Sequence, residues 1–441
     1  MCKGFQQTAV GDSNLHRFER LYYSDSFLRT FSGAVTDVRE LGGSNGEPIW
    51  QLLLNRTAFY PTSGGQPFDT GHLSAALPDG TALKVLVEQV EEDEQGAVWH
   101  FVRKPLSVRT CVEGQIDWER RLDHMQQHTG QHLLSAVFWR ELQAQTISFH
   151  LGESTSTIDL AGGPLARPIL ERVERIANEI IGEDRPVTTR VVSRGVAENM
   201  LTAGNLRKLP ERQGEIRLIE IANCDNNACG GTHVRSTGQI GGLLVRTVER
   251  VSRGVRIEFV CGSRAVRTAR ADFVILSETA SMLSTGTKGL PATVGRMLTE
   301  RKANAKERQK LREELAIFEA AKLAMDVPIE NGLRLAVHAW KDRDRDYVKL
   351  LASRTAEAAA RTAVIFFASE ANPIRVFVAR NSDLDFNCGQ ILREALSHLG
   401  LRGGGSADLA QGEVPAEQEN ALRASLSDAI RRAVAEVHKQ L

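Results

Sequence analysis

The chain has 441 residues, 42% of them hydrophobic and 25% charged, with 55 Lys and Arg against 55 Asp and Glu, so the net charge is zero. That length allows roughly two to four domains with hydrophobic cores of their own. No run approaches the roughly 18 apolar residues of a membrane span, and the Met1–Gln7 start lacks the apolar stretch of a secretory signal. Cys2, Cys111, Cys224, Cys229, Cys261 and Cys388 are too scattered for a disulfide framework; reduced thiols and a cytoplasmic location are expected.

In chain order, residues 15 to 110 read as short strands and turns. Trp50–Leu54 and Ala82–Val87 have strand character and Ser63-Gly64-Gly65-Gln66 is a glycine turn, so a small β-barrel or sandwich is expected. Near 115 the period becomes helical, with Leu122, Met125, Thr129, Leu133, Val137 and Arg140 on one stripe of a half-buried helix. A second helix is predicted from Pro168 to a stop at Gly182, among strands at Thr155–Leu160, Val187–Val192, Leu243–Val248 and Val255–Val260. The segment 263–328 reads as a helical hairpin or coiled-coil linker with a weak seam (Leu298, Leu311, Leu315, Phe318, Leu323) rather than a core. The last section alternates strands with helices, and Arg402–Asp408 reads as a glycine loop. The class is α+β.

Two pairs of residues carry chemistry. His128 and His132 lie four apart on a helix, so their imidazoles can converge on one point, and Cys229 and His233 repeat the spacing around Gly230 and Gly231. Three nitrogens and a thiolate are the donors that tetrahedral zinc takes, and one Zn2+ per chain is expected. His124 and Cys224 are spare candidates, with a supporting or surface His and a reduced loop Cys as the plainer readings. Four protein ligands suit a structural site; a catalytic ion keeps a position for water, and the spacing leaves both open. The densest basic run, Arg301 to Arg312, holds Arg301, Lys302, Lys306, Arg308, Lys310 and Arg312 against Glu307 alone. It reads as a solvated helix face or a phosphate-contacting surface, as does the Arg207-Lys208 pair.

His128-Thr129-Gly130-Gln131-His132 with Cys229-Gly230-Gly231-Thr232-His233 resembles the zinc motifs of the alanyl-tRNA synthetase editing domain and of its free-standing relatives, the AlaX editing proteins. Thr57-Ala58-Phe59-Tyr60-Pro61, followed by Gly64-Gly65-Gln66-Pro67-Phe68-Asp69-Thr70-Gly71, resembles the signature of the small barrel preceding that domain. Gly403-Gly404-Gly405-Ser406-Ala407-Asp408 is similar to the glycine-rich C-terminal domain that these synthetases share with DHH-type phosphoesterases. The resemblance implies a small β-barrel (1–110), a zinc-binding editing domain (111–262), a helical linker (263–328) and a C-terminal α/β glycine-rich domain (329–441). Only about fifteen residues precede Leu15-His16-Arg17, so the expectation is an enzyme working in trans on tRNA charged by another.

The implied reaction is deacylation of tRNA(Ala) carrying serine or glycine, since a pocket for alanine excludes neither well. By the same resemblance Thr57 would recognise the seryl hydroxyl, Gln66 would orient substrate or water, and Asp69 would be mainly structural. His150, in Ser148–Glu153, is a further site candidate. Arg207, Lys208, Arg301, Lys302, Lys306 and Gly403, Gly404 and Gly405 would meet tRNA, and the C-terminal domain would pair two copies. The competing readings are a zinc-stabilised RNA- or partner-binding module without catalysis, and an editing factor for threonyl-tRNA.

Overall fold

The computed structural model describes residues 18–42, 48–76, 81–210 and 214–440. Cys2, the Met1–Gln7 start and the stretch through Arg17 lie outside them. Contacts divide the chain into two compact units, Met1–Glu278 and Thr279–Leu441. The boundary falls inside the segment read as a linker. The class is α+β, as expected, and no helix among the described residues is long and apolar enough to cross a membrane.

Six strands of the first unit form its barrel: β1 (Thr30–Leu41), β2 (Ile49–Leu54), β3 (Gly71–Ala76), β4 (Ala82–Glu92), β5 (Val98–Val102) and β6 (Cys111–Ile116). They close in the order β1-β2-β5-β4-β3-β6, which settles barrel over sandwich. Closure follows from alternation: Leu52 and Leu54, Leu73 and Ala75, and Val85 and Val87 sit two apart, Val112 and Ile116 sit four apart about Gly114, and all are buried together inside. A Cβ at Gly114 would stand 2.1 Å from the Phe31 ring, so this position must be bare for that ring to fill the interior.

Helix α1 (Trp118–Leu142) follows directly, capped by the Asp117 carboxylate accepting from Arg120 N–H and ended by Gln143 in a left-handed conformation (φ 54°). It is buried around most of its circumference from His124 to Phe138, not on one stripe as the apolar period suggested. Three layers cover it. One is the sheet β12-β13-β8-β7, formed by β7 (Thr146–Leu151), β8 (Ser156–Leu160), β12 (Leu243–Val251) and β13 (Gly254–Cys261). Another is α2 (Arg167–Gly182), and the third is the barrel turn between β2 and β3. A second sheet contains β9 (Val187–Val192), β10 (Ile216–Ile221) and β11 (Asp225–Ala228), with α3 (Arg194–Thr202) after β9. Helix α4 spans Gly262–Met282.

Barrel and helix are joined by charge. Arg121, in the first turn of α1, and Asp69 are both fully buried. The Arg121 Nε lies 3.0 Å from both Asp69 carboxylate oxygens, Nη2 donates to Asp69 and to Ala58 O, and Nη1 donates to Ser26 O at 2.9 Å. Asp69 also accepts Tyr60 N–H at 2.6 Å. The structural reading of Asp69 fits this arrangement, in which every group is compensated.

The second unit has a mixed five-stranded sheet in the order β14-β15-β16-β18-β17: β14 (Arg334–Trp340), β15 (Thr362–Ala368), β16 (Ile374–Arg380), β17 (Gly403–Gly405) and β18 (Leu409–Val414). Helices α5 (Leu290–Met325) and α6 (Arg345–Ala358) pack on one face, and α7 (Cys388–Ser397) with α8 (Glu419–Gln440) on the other. Two expectations are corrected here. The C-terminal part of α5 belongs to a core through Ala316, Ala320 and Ala324, small residues four apart that let α6 approach, while Leu298, Leu311, Leu315 and Phe318 of the expected seam are exposed. The glycine run is an edge strand, not a loop: a Cβ at Gly403 would meet Leu396 Cδ1 at 2.3 Å, and one at Gly389 would meet Gly405 O at 2.4 Å. The glycines let α7 lie directly on strand backbone.

Replacing Asp69 by Ala leaves the Arg121 guanidinium buried and unpaired. The expected loss is about 3–5 kcal/mol in the urea transition of the first unit, with a smaller loss in Asp69→Ala/Arg121→Met, which removes both charges.

Candidate metal centre

His128, His132, Cys229 and His233 converge, their ligand atoms all lying within 4.8 Å of one another. The Cys229 Sγ is 3.4 Å from His128 Nε2 and 3.4 Å from His233 Nε2. Helix α1 presents the first pair, one turn apart, and the segment after β11 presents the second. This segment is held by Arg217, whose Nη1 donates to Cys229 O and Gly231 O, each at 2.8 Å. Gly231 must be glycine, because a Cβ there would stand 2.2 Å from His128 Cε1.

Two of the three imidazoles donate a hydrogen bond from the nitrogen facing away from the cluster, and the third faces a carboxylate. His128 Nδ1–H donates to Gln66 Oε1 at 2.9 Å, and His233 Nδ1–H donates to Thr129 Oγ1 at 3.1 Å. His132 Nδ1 lies 3.4 Å from Asp225 Oδ2. These contacts set the tautomers, so the Nε2 lone pairs of His128 and His233 face Cys229, which is how a protein prepares imidazoles for a metal. Burial alone would push the Cys229 thiol up, but the His128 and His233 imidazoles hold it well below its usual range. A thiolate is the form in which Cys229 binds a metal, and the donor set fits an ion whose binding must displace a proton from His132, where burial is outweighed by Asp225 and Cys229, which raise the pKa to about 9.

The other candidate residues are placed unevenly. Gln66 is buried at the centre, but its amide is engaged: Oε1 accepts from His128 and from Thr232 N–H (3.1 Å), and Nε2 donates to Thr232 Oγ1 (2.8 Å). It orients a ligand. Thr57 is inside the barrel, 4% exposed, and accepts Phe59 N–H at 3.1 Å. His100 Nδ1–H donates to Leu52 O at 3.1 Å, which leaves Nε2 to accept the Thr57 hydroxyl at 2.8 Å. His150 is exposed on β7 and is not brought to the cluster; its neighbour Phe149 is, stacked on His128 at 5.3 Å. His124 and Cys224 are not among the four either, and burial pushes the Cys224 thiol up to about 11.

Arg207 and Lys208 border a cleft whose wall includes His132. Arg207 is paired with Asp225 at 2.5 Å, and Lys208 is exposed. Arg301, Lys302 and Lys306 are exposed on α5 in the second unit, and Gly403 to Gly405 form the edge strand described above. The motif search passed over Thr129, Asp225, Thr232 and Arg217. Thr129 and Thr232 stand inside the two motifs, and the rule that a ligating His needs a partner on its other nitrogen would have picked out Thr129.

Three known families match this chain: tRNA synthetases class II (A) over residues 13–120, the threonyl and alanyl tRNA synthetase second additional domain over 216–258, and the DHHA1 domain over 332–432. The alanine–tRNA ligase of Pyrococcus abyssi is 32% identical over 410 residues, 89% of this chain and 42% of that protein. That of Pyrococcus furiosus is 36% identical over 309 residues, 67% of this chain and 31% of that protein. The chain thus spans less than half the length of these ligases. The alanyl-tRNA editing protein AlaX-L of Pyrococcus horikoshii is 29% identical over 419 residues, 92% of this chain and 97% of that protein.

Two measurements check this geometry. Gln66→Ala frees His128 Nδ1 and is expected to weaken metal binding roughly 10- to 100-fold in competition with a chromophoric chelator, and Gly231→Ala should act in the same direction. Burial lowers the His100 pKa to about 4 from 6.5. The unfolded chain therefore takes up the proton first, so this stabilisation is complete above pH 6.5 and lost as pH falls through 4. Its size is about 3 kcal/mol, and His100→Gln should flatten the stability profile between those pH values.

Proposed function

From the chain's kinship with the alanine–tRNA ligases and with AlaX-L, we propose that it hydrolyses the aminoacyl ester of tRNA(Ala) wrongly charged with serine or glycine, using a zinc-containing site, in the cytoplasm. The observation that carries this reading is the cluster of His128, His132, Cys229 and His233, in a chain that matches AlaX-L along 92% of its length. Zinc is supported by the donor set. Tetrahedral bonds of about 2.3 Å to sulfur and 2.0–2.1 Å to nitrogen put S and N about 3.5 Å apart, and the Cys229 Sγ to Nε2 distances are 3.4 Å. Bound there, zinc would supply Lewis acidity toward an ester carbonyl or a water.

This chain's own residues supply orientation and selection. Gln66, Thr129 and Asp225 hold the three imidazoles, and Arg217 holds the backbone of the Cys229 turn. Thr57 is assigned to selection. With its proton committed to His100, it has only a lone pair to offer. A seryl hydroxyl can donate to that lone pair and an alanyl methyl cannot; because Phe59 N–H and His100 already satisfy the Thr57 hydroxyl, the difference is one added hydrogen bond. His150, exposed on its strand, has no part in the proposed site.

The internal satisfaction of Gln66 and Thr57 also favours the rival in which the metal only staples the fold. Purified protein is expected to release serine and glycine from mischarged tRNA(Ala) while sparing alanine. Cys229→Ala should lose both bound zinc, by direct metal analysis, and release by 100-fold or more. Tight tRNA binding with no release from any charged species would leave the staple.

A further inference from the structure

The deacylase reading places the ester at the metal, and the ester hangs from a 3′-terminal ribose, so a nucleotide must lie beside one of the ligands. Two clefts of the first unit adjoin the region. One, of about 520 Å3 at the start of α1, is walled by Asp117, Glu119, Asp123 and Glu153 and by Arg120, Arg264 and Arg267, with Arg264 held by Asp123. Four carboxylates against three guanidiniums are a poorer surface for a phosphodiester than a wall without acids. The other, of about 650 Å3, lies between α1, the start of β7, β11 and the loop after α3. Its wall includes His132, a metal-site residue, and among the described residues contains no carboxylate side chain.

The chemistry of this second cleft is that of a nucleotide site. Trp139, two turns beyond His132, is 40% exposed and offers an aromatic face to a base. Gln131, Gln145 and Asn227 bring amides able to donate and accept at a base edge. Lys208 stands exposed on the loop for a phosphate. Asp225, on the strand that carries Asn227, is paired with Arg207, so it does not oppose an anion. The volume falls within the roughly 300–1,000 Å3 of small-ligand sites.

We propose that the cleft between Trp139 and Lys208, with His132 in its wall, holds the 3′-terminal nucleotide of the RNA and so sets the ester against the metal centre. Trp139 stacks the base and Lys208 meets the phosphate. This assignment rests on the deacylase reading, and its test separates the two.

The probe is an acceptor-stem RNA hairpin bearing serine on an unreactive 3′-amide, with binding followed by fluorescence anisotropy. Trp139→Ala and Lys208→Glu are compared with the parent protein, their zinc content confirming that each is folded. Trp139→Ala should weaken binding roughly 5- to 150-fold, with Trp139→Phe restoring most of it, and Lys208→Glu should weaken binding and flatten its salt dependence. In serine release the same variants should raise KM far more than they lower kcat. Removing the terminal nucleotide from the probe should erase the difference between the parent and Trp139→Ala. If that difference persists, or if the variants bind and turn over like a parent that does release serine, the assignment is overturned while the deacylase reading stands. If the variants lose binding as described but no protein releases serine, the nucleotide site stands and the deacylase reading falls.

Discussion

One buried carboxamide ties this molecule's functional parts together. The Gln66 side chain has two acceptor positions on its oxygen, and both are taken, one by an imidazole of α1 and one by the backbone beside His233. Its nitrogen turns back to Thr232. A barrel turn, a helix and a loop from three parts of the chain therefore share one amide, and none can shift without leaving a buried polar group unpaired. The Arg121 to Asp69 pair makes the coarser attachment that puts the amide within reach. The metal centre is thus as much a product of the barrel as of the helix that carries two of its ligands.

What could be read from the sequence depended on whether the signal was local. His128 with His132, and Cys229 with His233, are legible because a spacing of four is a property of short segments, and the barrel is legible because inward residues recur every second position. The glycines at 403 to 405 misled for the opposite reason: a residue without a side chain shows no alternation, and what makes it necessary is a helix arriving from elsewhere. The alanine stripe of α5 was hidden in the same way, since alanine is as common on exposed helix faces as in tight packing. For His150 the pattern was present and outweighed. Ile147, Phe149 and Leu151 alternate, and that rhythm puts Phe149 on the side of the metal cluster and His150 on the other.

Charge counting had a similar limit. Arg207 and Lys208 are adjacent and look equivalent in sequence, yet one is bound to Asp225 and the other is exposed in the cleft wall. Arg207 acts through its neighbour: by engaging one oxygen of Asp225 it leaves the other facing His132 Nδ1. A basic residue can therefore serve the metal centre without touching either RNA or metal. The available charge in this region is smaller than the formal charge, and better placed.

The dispersed origin of the ligands has a consequence for biosynthesis. His128 and His132 share α1, but two ligands hold an ion far less firmly than four, and the other two stand about a hundred residues later on a turn whose backbone is held by Arg217 and by Gln66 of the barrel. The four-residue cluster therefore behaves as a coincidence detector for its own unit. If the cluster binds an ion, a chain that retains it would have its barrel, its helix and its Cys229 turn folded together.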